Sequence, residues 1–199
     1  MDIGKGISQS FDLYRKNVGV LLAAGFLTMI ISCVTIGILA GPLFGGLLIL
    51  CRKLLKGEKA EIGEIFAHFD KFVPALLLTL IIFVPTMIVA CIPFLGALVM
   101  FFAGPIINLV YSFGLIMIIE KNKTFMDALR DSFELIKPNV VMNWVYAFVI
   151  NILGSIGVIL VGIGIILTLP ISPLGLCIAY NDLTNSSSQV PPANVAPGI

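Results

Sequence analysis

Three long apolar blocks, separated by short charged stretches, limit what this chain can fold into. They run roughly from Val18 to Leu50, Phe72 to Ile119 and Val140 to Ala179. A helix crosses the hydrocarbon of a bilayer in about 20 residues, so each block is too long for one crossing and suits two. Each is also interrupted near its middle by turn-forming residues. These are Thr35-Ile36-Gly37 and Gly41-Pro42 in the first, Ile92-Pro93-Phe94-Leu95-Gly96 in the second, and Gly162-Ile163-Gly164 in the third. The expected fold is all-α and integral to a membrane, with six transmembrane helices arranged as three hairpins. Composition agrees. Charged residues make up 12% of the 199, against about 25% in a soluble domain, too few to clothe a water-facing surface.

The positions of the charges test the hairpins. All twelve Lys and Arg fall in 1–17, 52–71 and 120–137, and the eleven acids fall in those stretches or at Asp182. The tips, near 35–41, 92–97 and 161–165, carry none. Hairpins put the ends of every block on one side, which is where the charges are. By the positive-inside rule that side is the cytoplasm. The expectation is a multi-pass protein of a prokaryotic cytoplasmic (inner) membrane with both termini inside. Asp2, Asp12, Arg15 and Lys16 precede the first apolar run, so no cleavable signal peptide is expected and the first span serves as its own insertion signal. A net charge of +1 gives no field that would draw nucleic acid. The first block is the least clear, because Arg52 comes only ten positions after Pro42. Its second helix is expected to begin near Gly37 or Ile38, with Pro42 in its first turns and Arg52 and Lys53 snorkelling. A re-entrant hairpin is the alternative.

The charged stretches carry a pattern of their own. Ile7, Phe11, Tyr14 and Val18 share one spacing with Ile62, Phe66, Phe69 and Val73, and with Leu129, Phe133, Ile136 and Val140. That spacing lines four large apolar side chains along one helix stripe. Each stretch reads as an amphipathic interfacial helix feeding a span. Thr124 and Asp127 have the spacing of a capping box that would start the third. Ser10-Phe11-Asp12-Leu13 parallels Ser132-Phe133-Glu134-Leu135, and Pro42, Pro105 and Pro170 follow in the second spans. The repeat units lie near 4–56, 60–121 and 124–181, within one membrane domain over 1–181. Units that cross twice insert in one orientation, which gives a pseudo-threefold parallel repeat about the membrane normal, its axis open or solid. The carriers of mitochondria share a threefold plan, but their proline–acid–base motif is absent here. Residues 182–199, rich in Asn, Ser, Pro and Ala, are expected to form a disordered cytoplasmic tail.

Candidate functional residues are few. Ionisable groups at membrane depth mark ion-coupled transport, and no predicted span has one at its middle. Asn108 and Asn151 are the polar residues at depth, as helix–helix glue or as ligand contacts if both face one cavity. Gly37, Gly41 and Gly45 recur every four residues, so backbones can approach closely, within one chain or between two copies. His68 has no Cys or carboxylate partner in sequence. Cys33, Cys51, Cys91 and Cys177 lie far apart among apolar neighbours and read as small buried hydrophobes. Trp144, Tyr146 and Tyr180 suit an aromatic belt. No catalytic or phosphate-binding motif is found. No cofactor or metal is expected.

The Ser-Phe-(Asp/Glu)-Leu…(Arg/Lys)-x-Asn-Val motif at 10–18 and 132–140, with the closing Pro173…Ala179-Tyr180-Asn181-Asp182-Leu183, resembles small six-span prokaryotic families. These are the YciC-like inner-membrane proteins and the membrane domain attached to some glycerophosphodiester phosphodiesterases. The resemblance covers most of 5–183 and implies a membrane module without known chemistry, since the phosphodiesterase catalytic domain is missing. The expected function is a non-enzymatic module, a scaffold or regulatory accessory protein. It would engage the lipid bilayer and a membrane-protein partner, or a second copy of itself, at its cytoplasmic face. The alternative is a small permease or channel for a small or lipophilic solute.

Overall fold

The computed structural model describes residues 3–35, 37–159 and 171–188, and the regular structure within them is helical. The elements are α1 (Ile3–Lys16), α2 (Val18–Val34), α3 (Ala40–Leu55), two short 3-10 turns (Ile62–Phe66 and Phe69–Lys71), α4 (Phe72–Ala90), α5 (Leu95–Lys121), α6 (Phe125–Ile136), a third 3-10 turn (Lys137–Asn139), α7 (Val140–Ile159) and α8 (Ile171–Ser188). Three helical stretches among the described residues are long and apolar enough to cross a membrane: Ile62–Ala90, Gly96–Lys121 and Phe125–Gly154. A fourth, Gly4–Lys16 with Val18–Val34, is bent by 94°. That bend turns α1 across the direction of α2. The Asn143 amide donates to the Ile136 carbonyl at 2.9 Å, tying the start of α7 to the end of α6 across the 3-10 turn between them.

Helices α3, α5 and α8 form the centre, each touching the other two. They run in the same direction. Phe44 stacks on Tyr111 and Arg52 reaches Glu120, while the Cys177 thiol meets the Leu48 carbonyl and Arg52 reaches Asn181. Helix α3 is buried almost throughout and is ensheathed by α2, the 62–66 turn, α4, α5 and α8. Its small residues permit this. A Cβ at Gly45 would lie 2.7 Å from Ile119 Cδ1, and one at Gly41 would overlap Thr79 of α4.

Several sequence expectations change here. Helix α3 begins at Ala40, not at 37–38, because Gly37 adopts φ +80 and belongs to the turn. Gly37, Gly41 and Gly45 therefore do not form one helix stripe; Gly41 faces α4 and Gly45 faces α5. With 16 residues, α3 is about 24 Å long, shorter than the roughly 30 Å of hydrocarbon. The middle amphipathic stretch is two 3-10 turns rather than an α-helix. Its first turn has no side-chain cap and contains Gly63, which costs about 1 kcal/mol relative to Ala in a helix, whereas α6 is capped by Thr124, which accepts from the Asp127 N–H at 3.2 Å. Helix α8 continues through Ser188, so Asp182–Ser188 is helical where a disordered tail is expected. Tyr146 and Tyr180 are buried inside the bundle, not in an aromatic belt. The third tip, Pro170 and residues 189–199 lie outside the described residues.

Gly46 lies against backbone, because a Cβ there would press on the Ile65 main chain, 2.8 Å from its Cα, which cannot swing aside. Gly46→Val should lower stability by at least about 2 kcal/mol, the scale of overpacking a filled core. Gly63→Ala, at a site with open space around it, should leave stability unchanged or raised. Thermal unfolding in detergent reads both.

Candidate functional site

The charged ends of α3, α5 and α8 meet at one side chain. Arg52 Nε donates to Glu120 Oε1 at 2.7 Å and its Nη1 donates to Asn181 Oδ1 at 2.6 Å. The guanidinium carbon lies 4.7 Å from the centroid of the Tyr180 ring, and Lys121 Nζ lies 5.9 Å from the same centroid. A planar fork of donors can serve two acceptors and an aromatic face at once, which an ammonium cannot do as well. The Arg52 side chain is 9% exposed and that of Glu120 25%. Above this clasp the three helices stay in contact. The Cys177 thiol, beside the Cys51 side chain, donates to the Leu48 carbonyl at 3.3 Å, and Phe113 meets Tyr180 edge-on at 5.2 Å.

Around the clasp lie the amphipathic segments. Helix α1 packs on α8, the 62–66 turn on α3, and α6 on α5. The faces they bury are not the full predicted stripes. Helix α1 buries Gly6, Ser10 and Tyr14, and α6 buries Ala128, Ser132 and Ile136. In both, the serine hydroxyl donates to the carbonyl four residues back, at 2.8 Å and 2.6 Å. Small residues let the helices lie close, which explains why this face wins over the one with the phenylalanines. Ile7, Phe69 and Leu129 are half-buried, whereas Ile62 and the aromatic residues Phe11, Phe66 and Phe133 are exposed, the last three at 38%, 39% and 56%. Ion pairs fasten the edges: Lys53 to Glu64 at 3.0 Å, and Lys123 to Asp131. The Asp131 carboxylate, hydrogen-bonded to Lys123, raises that ammonium's pKa above its ordinary value.

The predicted polar pair is brought together, since Asn108 Nδ2 donates to Asn151 Oδ1 at 2.6 Å. The bond ties α5 to α7 and is one form of the glue expected. Beside it lies a cavity of about 420 Å³ between the start of α3, α4 and α5. Gly37, Ile38, Ala40, Phe44, Leu76, Thr79, Leu80, Phe83, Asn108 and Tyr111 line it. Of the predicted residues it takes in Asn108 and Gly37; Asn151, Pro42 and Pro105 are not in its wall. Pro42 and Pro105 are buried in helix packing. His68 sits half-buried between the two 3-10 turns. No group of three or more His, Cys, Asp or Glu among the described residues is placed to hold a metal ion. No known family model, curated protein or solved structure matches the chain.

The clasp was not legible in the sequence, where Arg52 and Glu120 read only as residues at span ends. Their one signal was position: each closes a second span, directly after an unbroken run of small or apolar side chains. Removing one partner of a fully buried pair costs about 3–5 kcal/mol. With Glu120 partly exposed, Arg52→Ala should cost about 2 kcal/mol. Adding Glu120→Gln should cost less than the sum of the single changes, because the stranded carboxylate is gone. Additivity within about 0.5 kcal/mol in this double-mutant cycle would mean that the two side chains are not coupled.

Proposed function

We propose that the chain is a six-span module of the prokaryotic cytoplasmic membrane, with three units set in one orientation about an axis along the membrane normal. It acts as a scaffold or accessory protein that engages partner proteins or lipids at its cytoplasmic face, without chemistry of its own. One observation carries this reading. The charged end is closed by the Arg52 clasp and flanked by segments whose polar sides, with Asp12, Arg15, Lys59, Glu61, Arg130 and Glu134, are exposed. Such a surface offers much to bind and no passage through the middle.

The recurrence of packing supports the repeat. Each amphipathic segment lies on the central helix of the unit before it, α1 meeting that of the third. Burial also falls at matching places in the outer helices. Leu21, Ala24, Gly25 and Thr28 of α2 correspond to Asn143, Tyr146, Ala147 and Ile150 of α7, all buried. Ala75, Leu78, Thr79 and Ile82 are the buried or half-buried counterparts in α4. Counted from the helix starts, Phe72 rather than Val73 corresponds to Val18 and Val140. The perpendicular α1 and the exposed phenylalanines fit segments lying at the membrane interface with aromatic side chains in the acyl region. The second reading, a permease or channel for a small or lipophilic solute, draws on the cavity beside α4. The clasp argues against an axial route.

Cross-linking in native membranes followed by purification tests the scaffold. The full-length chain should recover a discrete partner at constant stoichiometry. A variant with the exposed polar residues of α1, 57–61 and α6 scrambled, and with unchanged thermal unfolding, should lose it. Recovery of no partner by the native chain would contradict the reading.

A further inference from the structure

The cavity between α3, α4 and α5 combines an apolar body with a small, uncharged polar edge. Its volume of about 420 Å³ lies within the range of small-molecule sites, which are mostly apolar with a few placed polar groups. Leu80, Phe83 and Ile38 at its rim are 48%, 58% and 57% exposed, so it opens sideways, to the surface that faces acyl chains in the membrane reading above. Inside, the Phe44 and Tyr111 rings are stacked at 5.9 Å and within 6° of parallel, giving a flat apolar wall.

The hydrogen bonds define what the polar edge can still offer. The Thr79 hydroxyl donates to the Ala75 carbonyl at 2.7 Å. The Tyr111 hydroxyl, 3.2 Å from Thr79 Oγ1, is therefore the donor in that contact. A phenol oxygen that has donated its hydrogen can still accept. Asn108 gives one amide hydrogen to Asn151 and has a second. Asn108 and Tyr111 are three residues apart, on one face of α5. The edge thus presents one donor and one acceptor side by side, the complement of a single hydroxyl group. No lining residue carries a charge at neutral pH, so a phosphate or carboxylate head would enter without a counter-charge.

We propose that this cavity binds a neutral lipid-phase molecule through a hydroxyl-bearing end, with the hydroxyl accepting from Asn108 and donating to Tyr111 and the hydrocarbon lying against Phe44, Leu76 and Leu80. The inference rests on the membrane reading for the route of access.

The test uses the full chain in lipid nanodiscs with two photoreactive probes, a diazirine-bearing long-chain alcohol and the same chain without its hydroxyl. The alcohol should give saturable adducts on cavity-lining residues, competed by an unlabelled long-chain alcohol. Tyr111→Phe should weaken that competition about fivefold, the factor for one neutral hydrogen bond. Leu80→Trp, a change at the exposed rim that leaves the core untouched, should block labelling. Equal labelling by the hydroxyl-free chain, or adducts spread evenly along the outer helices, would overturn the proposal while leaving the membrane reading intact. Recovery of the protein from cells in the aqueous fraction, without detergent or lipid, would overturn the membrane reading and the proposal together.

Discussion

One guanidinium joins the ends of three helices. Arg52 of α3 holds Glu120 of α5 and Asn181 of α8 while lying over the Tyr180 ring. A cation so nearly buried is tolerated only when opposite charge and hydrogen-bond acceptors are supplied at close range. Here they come from two other helices, separated from Arg52 by 68 and 129 residues in sequence. Both bonds are short, so a slip of one residue along any of the three helices, about 1.5 Å, would break them. The clasp therefore fixes the relative depth of the central helices. The close packing above it, at Gly45 against Ile119 and Cys177 against Leu48, depends on that depth.

The amphipathic segments follow from the same centre. Helices α3 and α5 end in charged residues that lead into a segment folded back on the bundle. Those segments have two apolar faces rather than one. The small-residue face of α1, Gly6 and Ser10, and that of α6, Ala128 and Ser132, is used on protein. The phenylalanine face is left for the surroundings. Side chains such as Phe11 and Phe133 are poor company for water and suited to the boundary of a bilayer. With the polar residues on the remaining side, a short segment has three surroundings to satisfy, which explains why it takes so much of the chain's charge.

What the sequence disclosed was periodic, and what it hid was contact. The apolar blocks with their turn residues, and the 3.6-residue stripes beside them, located α1, α2, α4, α5, α6 and the start of α7 to within a few positions, and Thr124 with Asp127 marked the start of α6. Apolar periodicity could not distinguish a side chain against protein from one against lipid, since both surroundings are apolar. So Phe133 and Ile136 read alike although one is exposed and the other buried. The middle segment failed for a different reason. Its stripe has helical spacing, but with Gly63 and no side-chain cap the short segment tightens into 3-10 turns. Arg52, Glu120 and Asn181 were invisible as a group because nothing local records a pairing across 68 or 129 residues. Asn108 and Asn151 were found because polar residues are so rare in those blocks.

The native cysteines report most directly whether the central helices stand side by side. Cys51 on α3 and Cys177 on α8 are buried and in contact, whereas Cys33 and Cys91 are exposed elsewhere. Oxidation of the otherwise unmodified protein in membranes with a membrane-permeant oxidant, read by mass spectrometry, should yield a Cys51–Cys177 disulfide as the intramolecular product. Absence of that link while Cys33 and Cys91 react, or a link joining Cys51 to either of them, would contradict the arrangement of α3 and α8 on which the clasp depends.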